Sequence, residues 1–210
     1  MEFSKYIVPI YSDDEFSGTG FIVEGLLITA NHVVRNKINS LFIYEGKCYI
    51  IEISGLISLE FPDDLACPNY AYDLFVCKTG IENSDLLLSE DYNKDTCCQY
   101  YGYSYDEEHK KLIIDIVSGI RISRDEALTN HYGRYIPLHN CISCYYELKP
   151  GNSGGPLFQD NKIIGILLQG DMYHGKCIEC KFLKAGYIKQ VFEDKQKSRN
   201  TDNTSYIILS

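Results

Sequence analysis

Short runs rich in Val, Ile, Tyr, Phe and Leu recur along the chain at residues 6–11, 20–23, 26–30, 41–45, 48–54 and 73–78, separated by turns. Runs of this length and make-up predict strands. Glu24-Gly25 lies between two of them and predicts a tight hairpin. A second series covers 99–103, 112–117, 119–123, 141–148, 156–158 and 163–169, with Asp160-Asn161 as a further hairpin signal. Between the series, a polar stretch from Ile81 to Asp95 surrounds a short Leu run. The pattern predicts an all-β sandwich or barrel in two lobes, residues 1–92 and 93–196. One convincing helix is expected, from about Ala185 to Gln196. Residues 197–210 read as a polar tail or linker, although Tyr206-Ile207-Ile208-Leu209 at its end is apolar.

Composition narrows the function classes. The chain has 210 residues, 45% of them hydrophobic and 23% charged, with 18 Tyr and no Trp. That is enough apolar material for a real core, with a lean towards strand. The net charge of -9 repels phosphate backbones, so nucleic acid is not an expected partner. There is no apolar run long enough for a membrane span, and none of signal-peptide type at Met1-Glu2-Phe3-Ser4-Lys5-Tyr6. A cytoplasmic setting is therefore expected. In a reducing compartment the nine Cys should be thiols or metal ligands.

The candidate chemistry centres on Gly151-Asn152-Ser153-Gly154-Gly155-Pro156. Glycines around a Ser allow a sharp turn and close approach of a substrate carbonyl. In such a turn the N–H groups of Gly151 and Ser153 can converge as an oxyanion hole beside the hydroxyl. A Ser nucleophile needs a base. Gly18-Thr19-Gly20-Phe21-Ile22-Val23 leads through a hairpin to Leu27-Ile28-Thr29-Ala30-Asn31-His32, which puts His32 just past a strand end. A third group must orient the imidazole. Asp73 heads the apolar run Leu74-Phe75-Val76-Cys77 and is the stronger candidate. Asp64, before a shorter run broken by Pro68, is the rival.

The order His32, Asp73, Ser153 and these four segments resemble trypsin/chymotrypsin-like serine peptidases, most of all the HtrA/Deg-type branch, over residues 6 to 190. The resemblance implies two antiparallel six-stranded β-barrels with a short C-terminal helix. It places His32 and Asp73 on the first barrel and Ser153 on the second. It implies amide hydrolysis of a protein or peptide through an acyl-enzyme, with no cofactor for catalysis. Secreted trypsins are switched on when a freed N-terminus pairs with an Asp just before the nucleophile. Here that residue is Asn152, so control would fall to a regulatory partner, oligomerisation or a fused domain. By the same resemblance Glu147 would floor the specificity pocket, with Leu168, Gln169 and Gly170 on one wall and Gly186 opposite. A carboxylate there would favour Lys or Arg before the scissile bond, whereas an exposed Glu147 would leave an apolar pocket. Two Cys-x-x-Cys units, Cys141/Cys144 and Cys177/Cys180, have the layout of a structural zinc site, with His139 and His174 nearby. Buried thiols or one disulfide are the alternative. Two rival functions remain, a silent homologue that binds peptides or partners and a processing domain of a larger polyprotein or effector.

Overall fold

The computed structural model describes residues 3–35, 37–52, 57–59, 73–82, 85–131, 134–138, 140–147, 149–173 and 176–204. After a 3-10 turn, Phe3–Tyr6, the first half forms β1 (Ile7–Ser12), β2 (Glu15–Val23), β3 (Leu26–Ala30), α1 (Asn31–Val34), β4 (Ser40–Tyr44), β5 (Lys47–Ile50), β6 (Ile57–Leu59) and β7 (Leu74–Lys78). The seven strands make one curled antiparallel sheet in the order β5-β4-β1-β2-β3-β7-β6. The second half supplies β8 (Cys98–Asp106), β9 (Lys111–Ile120), β10 (Ile122–Arg124), β11 (Ala127–His131), β12 (Arg134–Leu138), β13 (Cys141–Cys144), β14 (Pro156–Gln159), β15 (Lys162–Tyr173), β16 (Lys176–Lys184) and α2 (Ala185–Thr204). Its sheet runs β10-β13-β16-β15-β14-β8-β9, and β11 and β12 pair as a separate hairpin.

The all-β architecture is the expected one, but each sheet has seven strands rather than six. In the first, β6 is only three residues long, too short to leave a pattern. In the second, β16 escapes a pattern reading because Glu179 and Lys181 occupy buried positions where alternation predicts apolar side chains. Both expected hairpins form as two-residue turns. Val23 pairs with Leu26 and Gln159 with Lys162, with positive φ at Glu24, Gly25, Asp160 and Asn161. Those are the backbone angles that match the twist of the flanking strands. The helix runs past Gln196 to Thr204, so residues 197–204 continue it rather than forming a linker. From Tyr187 to Thr204 there is no Pro or Gly to stop it. The apolar end at 205–210 lies outside the described residues.

The core explains how the two sheets hold one another. One buried cluster joins Ile10, Phe21, Ile28, Phe42, Leu74 and Phe75 of the first sheet to Phe158, Ile163, Ile166, Leu168 and Leu183 of the second. Each such side chain contributes about 1.5–3 kcal/mol by leaving water. Phe3 stacks on Phe158 at 5.0 Å between ring centroids, which ties the first residues of the chain to the second sheet. A separate cluster, including Tyr100, Ile142, Leu157, Leu167 and Phe182, is drawn from the second half of the chain alone. The nucleophile loop, residues 150–155, emerges just before β14, where both clusters meet.

Candidate active site

His32 enters the cleft because β3 ends at Ala30 and the chain turns at once into α1. Two contacts from Asp73 fix that turn. The Asn31 N–H donates to the Asp73 carbonyl at 3.0 Å, and the His32 N–H donates to Asp73 Oδ1 at 2.8 Å. The other carboxylate oxygen, Oδ2, lies 2.6 Å from His32 Nδ1. Asp73 is buried while the His32 ring is half exposed, so the imidazole is held at one edge and open at the other. The His32–Asp73 contact has the geometry that fixes an imidazole with its proton on Nδ1. Asp64 lies outside the described residues.

Ser153 faces the same space. A cleft of ≈ 440 Å³ is lined by His32, Arg35, Asp73, Ser153, Leu168, Gln169 and Gly170. Among the described contacts there is no hydrogen bond between Ser153 and His32. Catalytic contacts are often long until substrate closes the site. The Gly151 and Ser153 N–H groups have no acceptor within the described protein, while the neighbouring N–H groups do: Asn152 donates to the Lys149 carbonyl, Gly154 to that of Leu167 and Gly155 to that of Asn152. These two N–H groups, one on each side of Asn152, are the loop donors not used within the described protein.

The loop is held from both lobes. Thr19 of β2 donates through its hydroxyl to the Gly151 carbonyl at 2.9 Å and through its N–H to the Ser153 carbonyl at 2.9 Å. The same hydroxyl accepts the Tyr103 N–H at 2.8 Å. From the second lobe, the Tyr100 hydroxyl donates to the Asn152 carbonyl at 2.6 Å. The wholly buried Asn152 side chain accepts the Lys149 N–H at 2.9 Å and donates to the Tyr103 carbonyl at 3.0 Å and to Asp115 Oδ2 at 3.3 Å. Lys149 Nζ closes the set on Asp115 Oδ1 at 2.7 Å. Burial pushes the Asp115 carboxyl up, but hydrogen bonds from neighbours including Lys149 and Asn152 outweigh it and hold the group below its ordinary value.

Two of the expected pocket residues lie elsewhere. Glu147 is exposed and does not line the cleft. Gly186 does not form the opposite wall. β16 ends at Lys184, so Gly186 falls in the first turn of α2, where it lines a separate hollow with Glu90, Asn140, Lys184, Tyr187, Gln190 and Glu193. Residues that sequence reasoning missed are Arg35, Thr19, Tyr100 and Asp115. Asp115 alone carried a signal, as a single carboxylate inside the apolar run Leu112-Ile113-Ile114-Asp115-Ile116-Val117.

The zinc arrangement is not formed by the described cysteines. Cys141 and Cys144 are three apart on β13, and residues three apart on a strand point to opposite faces. Cys141 accordingly joins the cluster between the sheets, whereas Cys144 joins Cys180, its cross-strand partner, inside the second sheet's cluster. A Cys-x-x-Cys unit suits a metal when it sits on a turn, not along an extended strand. Among the described residues no three His, Cys, Asp or Glu side chains are grouped to hold a metal ion. The side chain of Cys177, and His139 and His174, lie outside the described residues.

Comparison with known proteins bears on the family and the fold. A family model described as Trypsin matches residues 2–180. Among solved structures the chain is similar to the Rv3671c protease from M. tuberculosis in its active form, at 16% identity and a TM-score of 0.61, covering 90% of this chain and 79% of that one. It is similar to the HtrA-type protease AlgW with a decapeptide, at 20% identity and a TM-score of 0.62, covering 87% of this chain and 52% of that one. It is also similar to a human pathogenic astrovirus serine protease, at 18% identity and a TM-score of 0.50, covering 86% and 89%. At such identities the likeness concerns the fold. No curated protein matches the chain by sequence.

Proposed function

The chain belongs to the trypsin family, and from that premise we infer that it is a serine endopeptidase acting on proteins or peptides. The observation that carries the reading is the pair of Asp73 contacts to His32, at 2.6 and 2.8 Å, in a cleft shared with Ser153. Ser153 Oγ attacks the scissile carbonyl carbon, and His32 Nε2 takes the hydroxyl proton. Asp73 stays ionised and stabilises the imidazolium. The tetrahedral oxyanion is received by the Gly151 and Ser153 N–H groups. The C–N bond then breaks as His32 protonates the leaving amine, and water hydrolyses the acyl-enzyme by the same route. With Asn152 neutral and already bonded within the fold, activation by N-terminal pairing is not part of this mechanism. The test is covalent. A fluorophosphonate probe is expected to label the unaltered chain at one site and Ser153→Ala not at all. No labelling of the unaltered chain would sink the reading.

A preference for basic residues draws no support from the described cleft. Its only carboxylate is Asp73, engaged by His32, and it also carries Arg35. Leu168, Gln169 and Gly170 are the lining that meets the residue before the scissile bond. In a positional-scanning peptide library, Glu147→Ala is expected to leave the profile unchanged. Loss of a Lys or Arg preference in that variant would restore Glu147 to the pocket.

A further inference from the structure

The donors of an oxyanion site must point outwards before substrate arrives, and here the means lies on the buried side of the loop. In a trans peptide the C=O and N–H point in opposite directions. The Asn152 carbonyl is drawn into the second lobe by the Tyr100 hydroxyl at 2.6 Å and by the Gly155 N–H at 3.1 Å. The Ser153 N–H, on the other end of the same peptide, is thereby turned away from the interior. Tyr100 is fully buried, and its hydroxyl reaches the carbonyl by passing between Gly102 and Gly155, where any Cβ would overlap it. The Asn152 side chain is gripped separately by Tyr103 and Asp115, with Lys149 bridging Asp115 back to the start of the loop.

We propose that Tyr100 and Asp115 are positioning residues that hold Asn152 from its main chain and its side chain, and so keep the Ser153 N–H directed into the cleft without an activation step. This rests on Ser153 being the nucleophile. Neither residue lines the cleft, so both act through Asn152. The grip holds a neutral amide by an internal carboxylate already paired with Lys149, so no cation from a freed N-terminus is needed. A loop held in this way is competent as soon as the chain folds.

The experiment compares the rate of fluorophosphonate labelling and steady-state peptide hydrolysis in the unaltered chain, Tyr100→Phe, Asp115→Ala and Asp115→Asn, with thermal unfolding followed in each. Losing a well-placed oxyanion donor costs about 100- to 1,000-fold. Partial release of one donor should accordingly lower kcat and the labelling rate by roughly 10- to 100-fold in Tyr100→Phe and Asp115→Ala, with KM within about threefold. Asp115→Asn, which can still accept from Asn152 Nδ2, should recover most of the rate. A role confined to packing would instead shift the unfolding midpoint with kcat unchanged in the folded fraction, and that result overturns the proposal. If Asp115→Ala does not fold, Tyr100→Phe decides it: a rate equal to that of the unaltered chain overturns the proposal. Absence of labelling in the unaltered chain overturns the nucleophile reading, and the proposal falls with it.

Discussion

Replacing Asp73 by Asn is expected to lower kcat for peptide hydrolysis by about ten-thousand-fold while the fold survives. The size follows from how fully both carboxylate oxygens are used. Oδ1 accepts the His32 N–H and Oδ2 meets His32 Nδ1. An amide has one acceptor and one donor end, so one of these contacts must fail. If the amide oxygen keeps the backbone N–H, the NH2 group faces Nδ1. The ring proton is then driven to Nε2, and His32 can no longer take the proton of Ser153. If the amide is turned round, two N–H donors meet at the start of α1 and His32 is displaced. The backbone itself tolerates the change, because φ at Asp73 is 25°, a region that Asn and Asp enter more readily than other non-glycine residues. Steady-state kinetics with thermal unfolding checks this, and a loss of less than tenfold in a chain that unfolds normally would remove Asp73 from the mechanism. Adding His32→Ala to Asp73→Asn should cost little more than His32→Ala alone, since residues that act as one unit are not additive.

The contrast between His32, Ser153 and Glu147 explains what was legible in the sequence. Ser153 and His32 sit in local patterns, a glycine turn and a strand end, whose geometry is decided within about six residues of chain. Their meeting in one cleft follows from the fold that those patterns identify. The pocket places of Glu147 and Gly186 are implied by the resemblance alone, with no local pattern of their own. Such a resemblance carries least where the chain leaves its strands: residue 147 lies on an exposed loop after β13 and residue 186 in α2. The cysteines show the same limit. Cys-x-x-Cys spacing carries meaning on a turn, but β13 is extended, and extension sends Cys141 and Cys144 to different clusters. Tyr100 was invisible for another reason. Among 18 Tyr, nothing local distinguishes the one whose hydroxyl reaches a carbonyl 52 residues away.

The glycine that follows the nucleophile should be the least replaceable residue of the loop. Gly154 has φ 86°, and a methyl group there would overlap the Thr19 carbonyl oxygen and Thr29 Oγ1, with the Ala30 N at 3.1 Å. These atoms cannot move aside. The Thr19 carbonyl already accepts the Thr29 hydroxyl at 2.7 Å, and both residues lie in the β2–β3 part of the first sheet. Gly46, in the turn between β4 and β5, separates the two costs. Its φ is 73°, yet a Cβ there meets nothing within 4 Å. Gly46→Ala should therefore show only the backbone penalty of a left-handed residue, about 1 kcal/mol. Gly154→Ala adds overpacking against fixed backbone and should cost about 4 kcal/mol or more, a large part of the roughly 5–15 kcal/mol that holds a typical domain folded. Denaturant titration of the two variants side by side makes the comparison. Any Gly154→Ala protein that does fold must have moved the loop away from Thr19, and its labelling at Ser153 should be lost along with its stability. Equal costs at the two glycines would mean that the loop is not clamped against the first sheet, and the inter-lobe hold by Thr19 would have to be abandoned.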